Sequence, residues 1–244
     1  MFYWLEQRLS DVPNDDTWLS CAEQEQANAM HVSKRRSDWR LGRWTAKLAL
    51  ASFYQLAAEP DILASIELRA AASGAPVLLY RGEMSSLSIS LSHSNGNAFV
   101  VIAPPGNTIG CDLEKIEPRS AAFIEDYCTE SELHLVDIVS SYERPLLVNL
   151  IWSAKESVLK LLGIGLRGDI RSISVVIDVQ SLAMGVEQWL VFKARSSEAQ
   201  TFYGMWRNSN AFVRTVAAEK PISRAVELTI PAVSRLQAKG TSTG

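Results

Sequence analysis

The stretch Gly110-Cys111-Asp112-Leu113-Glu114 constrains this chain more than any other. It follows the turn formers Pro104-Pro105-Gly106-Asn107 and the pair Thr108-Ile109, and reads as a short strand near the middle of the sequence. Residues two apart on a strand share a face. Asp112 and Glu114 therefore project side by side, while Cys111 and Leu113 turn the other way into a core. Two carboxylates on one face repel each other unless a cation lies between them. A hard divalent ion such as magnesium, which takes oxygen ligands, is the natural partner.

About forty residues later comes Trp152-Ser153-Ala154-Lys155-Glu156-Ser157-Val158-Leu159-Lys160, inside a helix predicted from Leu147 to about Leu162. Trp152, Glu156 and Lys160 are four apart and form one stripe. Glu156 offers a third carboxylate, and Lys160 a cation one turn further on. The glycines of Gly163-Ile164-Gly165-Leu166-Arg167-Gly168-Asp169 end the helix as a C-cap and turn.

A second helix is predicted over Lys34 to Leu56, with Leu41, Trp44, Leu48 and Ala51 on its apolar face. Arg36, Arg40, Arg43 and Lys47 make a stripe of like charge on the neighbouring face. Such neighbours repel by a few tenths of a kcal/mol per pair, so the stripe calls for anions. Gly42 inside this helix costs about 1 kcal/mol relative to alanine, which a close helix contact or a ligand approach would explain.

The remaining elements follow from alternation and turn residues. Strands are predicted at Phe2–Leu9, Val77–Tyr80, Ser88–Ser94, Ala98–Ala103, Ile173–Ile177, Trp189–Phe192, Tyr203–Trp206 and Ala211–Ala218. Helices are predicted at Trp18–Met30 and, acidic throughout, at Ala121–Val139; Asp61–Ala72 is mixed. Val233–Gly244 is small and polar and reads as a frayed tail. The order on the two sides of Pro105 is similar: a long helix, then several strands.

Composition bounds the function. A chain of 244 residues with 47% apolar content forms a sizeable core, as one large domain or two small ones. Its net charge of −3 argues against general nucleic-acid binding. Cys21, Cys111 and Cys128 are scattered, without a Cys-X-X-Cys pair, which suggests neither a disulfide framework nor a zinc site and fits a reducing cytoplasm. The N-terminus has no basic start followed by an apolar run, so no secretory signal is expected. No Gly-X-Ser-X-Gly elbow and no Gly-X-X-X-X-Gly-Lys-(Ser/Thr) loop is present, which weighs against serine-hydrolase chemistry and a phosphate-loop nucleotide enzyme.

The strand motif and the helix motif, in this order, resemble the paired motifs of the 4'-phosphopantetheinyl transferases, Gly-(Ile/Val)-Asp-(Ile/Val)-Glu and Trp-(Ser/Cys)-X-Lys-Glu-(Ala/Ser)-X-X-Lys. Chain length resembles the surfactin-synthetase-activating type. The resemblance runs from about Lys34 to about Ala218. It implies an α+β fold of two similar halves related by a pseudo-two-fold axis, with the active site in the seam. Residues 1–104 would bind coenzyme A phosphates, residues 105–232 would carry the metal and the catalysis, and 233–244 would be a flexible tail. The implied reaction is magnesium-dependent transfer of phosphopantetheine from coenzyme A to a serine of an apo acyl- or peptidyl-carrier protein, releasing adenosine 3',5'-bisphosphate.

Carried over residue by residue, the resemblance implies Asp112, Glu114 and Glu156 as metal ligands and Asp112, Glu156 and Lys160 as catalytic. The coenzyme contacts would be Arg36, Arg43, Lys47, Ser92, His93, Lys155 and Lys160. Glu156, or a metal-bound water beside it, would accept the serine proton. Trp152 reads as core packing and Cys111 as a small buried residue. The chain departs from the family at Arg36-Ser37-Asp38-Trp39-Arg40-Leu41-Gly42-Arg43, one residue short between the first arginine and the acid. It departs again at Ala75, where the family often has a lysine. Fatty-acid, polyketide, nonribosomal-peptide and lysine-pathway carriers all remain open as substrates, and a monomeric cytoplasmic enzyme is expected. The alternative is a non-catalytic coenzyme- or carrier-binding module that keeps the fold.

Overall fold

The computed structural model describes residues 1–71, 74–165, 168–183 and 187–230. These form an α+β fold with three sheets and six α-helices. The expected tail at 233–244, Ala72, and Leu166-Arg167 lie outside the described residues. No helix among the described residues is long and apolar enough to cross a membrane.

The first sheet is built around β6 (Asn97–Ala103), whose residues from Ala98 onward are buried. It lies between β1 (Phe2–Arg8) and β5 (Ser88–Ser94), both antiparallel to it, and β12 (Ala225–Glu227) adds a parallel edge beyond β1. The 21-residue helix α2 (Ser33–Phe53) packs across β1 and β6. The second sheet is antiparallel throughout, in the order β7 (Ile109–Lys115), β11 (Phe212–Ala218), β10 (Thr201–Ser209), β9 (Leu190–Ser196), β8 (Ile173–Val176). Helix α6 (Arg144–Leu161) lies over β7 and β11. A small third sheet joins β2 (Ile66–Ala70), β3 (Pro76–Tyr80) and β4 (Glu83–Met84).

The two large sheets meet where edge strand β5 lies beside edge strand β7. Phe2, Trp4, Phe99 and Val101 from one side pack there with Cys111, Leu113 and Val216 from the other, in a single apolar cluster. The alternation predicted for Cys111 and Leu113 thus delivers them to this joint core. Arg214 of β11, 3% exposed, forms a bidentate pair with Glu6 of β1 and ties the sheets a second time.

Capping chemistry moved two predicted boundaries. The first helix, α1 (Cys21–Asn28), starts after Ser20 rather than at Trp18. Ser20 and Glu23 form a capping box that satisfies the first free amides. Thr129 and Glu132 form another, which splits the single helix predicted at Ala121–Val139 into α4 (Ala121–Tyr127) and α5 (Glu130–Ile138). The mixed segment after Asp61 is a short helix, α3 (Pro60–Ala64), followed by β2.

Each capping-box glutamate has a second role, and the arrangement occurs twice. Glu23 accepts from the Leu68 amide at 3.1 Å and pairs at 2.6 Å with Lys47 of α2, which also donates to the Trp18 carbonyl. Glu132 accepts from the Val175 amide at 2.7 Å and pairs at 2.6 Å with Lys155 of α6, which also donates to the Tyr127 carbonyl. Both lysines are fully buried. Removing one member of such a pair strands the other charge in the interior. Lys47→Ala and Lys155→Ala are each expected to lower unfolding free energy by about 3–5 kcal/mol in urea titrations.

Candidate active site at the joint of the two sheets

Helix α6 sits so close to β7 that a Cβ at Gly110 would come within 2.0 Å of the Ser157 carbonyl oxygen. That contact brings the predicted helical stripe onto the carboxylate face of the strand. Trp152 donates its indole N–H to Glu114 Oε1 at 3.0 Å. Lys160 pairs with Asp112 Oδ1 at 2.7 Å and lies 3.8 Å from Glu156. Asp112 is 1% exposed. Ser92 of β5 donates to the same Oδ1 at 2.8 Å. Among the described residues no donor reaches the other oxygen, Oδ2, which is also buried.

Glu114 is gripped from the opposite side as well. Arg119 donates to its Oε2 at 3.0 Å and lies over the Phe123 ring. Asn149 accepts from Arg119 Nε at 2.8 Å, while its own amide donates to the Glu117 and Pro145 carbonyls. The sequence reading missed Arg119 and Asn149. Asn149 was legible in one respect: it lies three residues before Trp152 and extends the same stripe. The role of Trp152 is wider than core packing, because its N–H fixes a carboxylate.

The charge of Asp112 raises the proton affinity of the two glutamates near it. Burial and then the charge of Asp112 push Glu156 up to about 7, against the pull of Lys160. Burial and then Asp112 also raise Glu114, opposed by the Trp152 hydrogen bond and Arg119. Burial works against the Lys160 ammonium, but Asp112 foremost holds its pKa above the ordinary lysine value.

The expected cage of three carboxylates is not assembled in this arrangement of side chains. Among the described residues no three or more His, Cys, Asp or Glu side chains stand as a metal-binding group. The reason is local: Trp152 and Arg119 take both oxygens of Glu114, and Lys160 with Ser92 takes Oδ1 of Asp112. Two features nonetheless suit a hard cation. One is the orphaned Oδ2 of Asp112, and the other is the mutual repulsion of Asp112 and Glu156.

A cavity of about 770 Å³ has Lys160, the partner of Asp112, and Arg43 in its wall. Ala75, Pro76, Ser88 and Ser90 contribute further wall. A second cavity of about 430 Å³ shares Arg43 and Leu91 with it and adds Lys34, Arg35, Trp39 and His93. The predicted coenzyme contacts therefore separate. Lys160, Arg43 and His93 line open space. Arg36 pairs with Asp16 at 3.1 Å, and Ser92 faces Asp112. Lys47 and Lys155 are turned into the interior, away from any ligand that stays at the surface.

The anions called for by the basic stripe of α2 are largely in the protein: Asp16 for Arg36 and Arg40, and Glu23 for Arg43 and Lys47. Arg43 also stacks on Trp39, and burial lowers its pKa to about 10. A Cβ at Gly42 would meet Leu91 at an ordinary 3.5 Å, so no tight packing contact requires the glycine. Cys111 is buried as expected, and burial raises its thiol pKa to about 12.

Residues 108–203 match the model of the 4'-phosphopantetheinyl transferase superfamily. The matched stretch spans β7, α6 and the strands through the start of β10. Comparison with curated proteins returns no match.

The elevated pKa of Glu156 fixes the sign of a pH effect. A carboxyl that ionises near 7 when folded and near 4.5 when unfolded costs the folded state stability as pH rises through that window. Without metal, Glu156→Gln is expected to melt about 2–8 °C above the parent at pH 8 and close to it at pH 5. Melting curves at the two pH values in EDTA read this out.

Proposed function

We propose that this protein transfers the 4'-phosphopantetheine group of coenzyme A to a serine of an apo carrier protein. The superfamily match over residues 108–203 supports phosphopantetheinyl transfer. The observation that carries the reading to this site is Lys160, which joins the buried Asp112 and also forms part of the wall of the 770 Å³ cavity. Coenzyme A would lie in that cavity. Its diphosphate would face Lys160, and a remote phosphate would lie toward Arg43, His93, Lys34 and Arg35. Guanidinium groups suit phosphate because they donate two parallel hydrogen bonds.

Asp112 and Glu156, with Glu114 beside them, are the residues that would hold a magnesium ion. When bound, the ion supplies charge neutralisation on the diphosphate and on the departing phosphate. The chain's own groups account for the remaining steps. Lys160, held protonated by Asp112, neutralises a diphosphate oxygen. Glu156, with a pKa of about 7, is suited to take the proton of the carrier serine. The serine oxygen forms a bond to the phosphorus that carries pantetheine. The bond from that phosphorus to the bridging oxygen breaks, and adenosine 3',5'-bisphosphate leaves.

The same reading covers the organisation of the chain. We take residues 1–104 and 105–232 as two related halves. The paired constructions Ser20–Glu23–Lys47 and Thr129–Glu132–Lys155 support this. So do the matching strand orders β1-β6-β5 and β7-β11-β10. On this view only the second half keeps the acids of a site, while the first lends it Ser92, Arg43 and His93.

Incubation with coenzyme A, magnesium and a panel of apo carriers tests the proposal. At least one carrier is expected to gain the mass of phosphopantetheine, and folded Asp112→Ala is expected to leave all of them unmodified. Coenzyme A binding without any transfer would instead favour a non-catalytic binding module. Arg43→Ala is expected to weaken coenzyme A affinity by about 10–100-fold in calorimetry, the loss of a charge-assisted hydrogen bond.

A further inference from the structure

Helix α6 controls both oxygens of Glu114, one directly and one through a relay. Trp152 donates to Oε1 itself. Asn149, three residues earlier on the same stripe, acts on Oε2 through the loop that follows β7. Asn149 Oδ1 accepts from Arg119 Nε at 2.8 Å, and Arg119 Nη2 donates to Glu114 Oε2 at 3.0 Å. Asn149 is fully buried. Its amide nitrogen donates to the Glu117 and Pro145 carbonyls, each at 2.7 Å. A carbonyl accepts only from the NH2 end of the side chain, so Oδ1 has to face Arg119.

The other end of the relay is held as firmly. A guanidinium is planar and rigid, so fixing Nε sets the direction of Nη2. The main chain is anchored on both sides of Arg119. Asn149 holds the Glu117 carbonyl, and Ser120 caps α4 by accepting from the Phe123 amide. The Phe123 ring lies 5.0 Å from the guanidinium carbon. None of these anchors is Asp112, Glu156 or Lys160, the groups that meet the diphosphate and the carrier proton in the transferase reading. Each oxygen of Glu114 gives one lone pair to its donor and keeps another. The grip thus sets where the carboxylate stands and is compatible with a cation on it. We infer that Asn149 is a positioning residue, which through Arg119 holds Glu114 in place beside Asp112. The inference rests on the transferase reading.

Variants that preserve charge test it, because deleting the Arg119 cation would alter the attraction for a metal ion as well as the geometry. The measurements are manganese(II) binding by electron paramagnetic resonance, coenzyme A binding by calorimetry in EDTA, and thermal melting. Asn149→Ala and Arg119→Lys each break the relay and keep every charge. Each is expected to weaken manganese binding about tenfold, as loss of an outer hydrogen-bond partner of a metal ligand does, with coenzyme A affinity in EDTA within about twofold of the parent. The double variant is expected to bind manganese as well as the weaker single variant, because both changes act on one carboxylate. A merely structural loss at Asn149 would instead add to that of Arg119→Lys. Additive losses, or unchanged manganese binding in the single variants, overturn the inference. Should Asn149→Ala fold poorly, Arg119→Lys still reports, and full manganese affinity there overturns it. Asp112→Asn separates the inference from the reading beneath it. Manganese binding that is absent from the parent, or unmoved by Asp112→Asn, sinks both. Binding lost in Asp112→Asn but kept in Asn149→Ala and Arg119→Lys sinks the inference alone.

Discussion

The seating of α6 on β7 at Gly110 is the contact on which the site depends. A side chain there would overlap the helix backbone. With hydrogen alone at that position, the helix comes near enough for Trp152 to reach Glu114 and for Lys160 to reach Asp112. Larger side chains would force the helix outward, and the cation and the acids would part. The glycine that opens the strand motif is thus a packing requirement of the helix motif far along the chain, which gives a physical reason for the two to occur together.

Similar charges play opposite roles according to depth. The Lys47–Glu23 and Lys155–Glu132 pairs are buried and also joined to main-chain carbonyls and amides, so each closes a helix start onto a strand. The Lys160–Asp112 pair has a similar separation but adjoins open space and keeps one carboxylate oxygen unsatisfied. The first kind satisfies every polar group it buries. The second leaves an electrostatic demand that a ligand can meet.

Much of the architecture was legible because it rests on periodicity. The strand alternation of 111–114 put Cys111 and Leu113 in a core, and the spacing of Trp152, Glu156 and Lys160 put them on one stripe; both hold. The capping boxes at Ser20 and Thr129 were equally visible as Ser/Thr-X-X-Glu, yet composition alone merged the two helices around Cys128. The short strands β4 and β12 carry no pattern long enough to read. Arg119 lay beyond reach for a different reason. Its loop position has no periodicity, and only the fold brings it to Asn149.

The sequence by itself determined which faces carry charge, since a strand repeats every two residues and a helix every 3.6. It also determined that three acids and several cations would be available. Tertiary structure alone decided which cation meets which acid. Lys155 and Lys160 stand five residues apart on one helix and so leave it in different directions, one into Glu132 and one onto Asp112. The arginines of α2 found their counter-ions in Asp16 and Glu23, residues that spacing within the helix could not reveal. Pairing of charge is set by distance in space, and that distance exists only once the sheets and helices have packed.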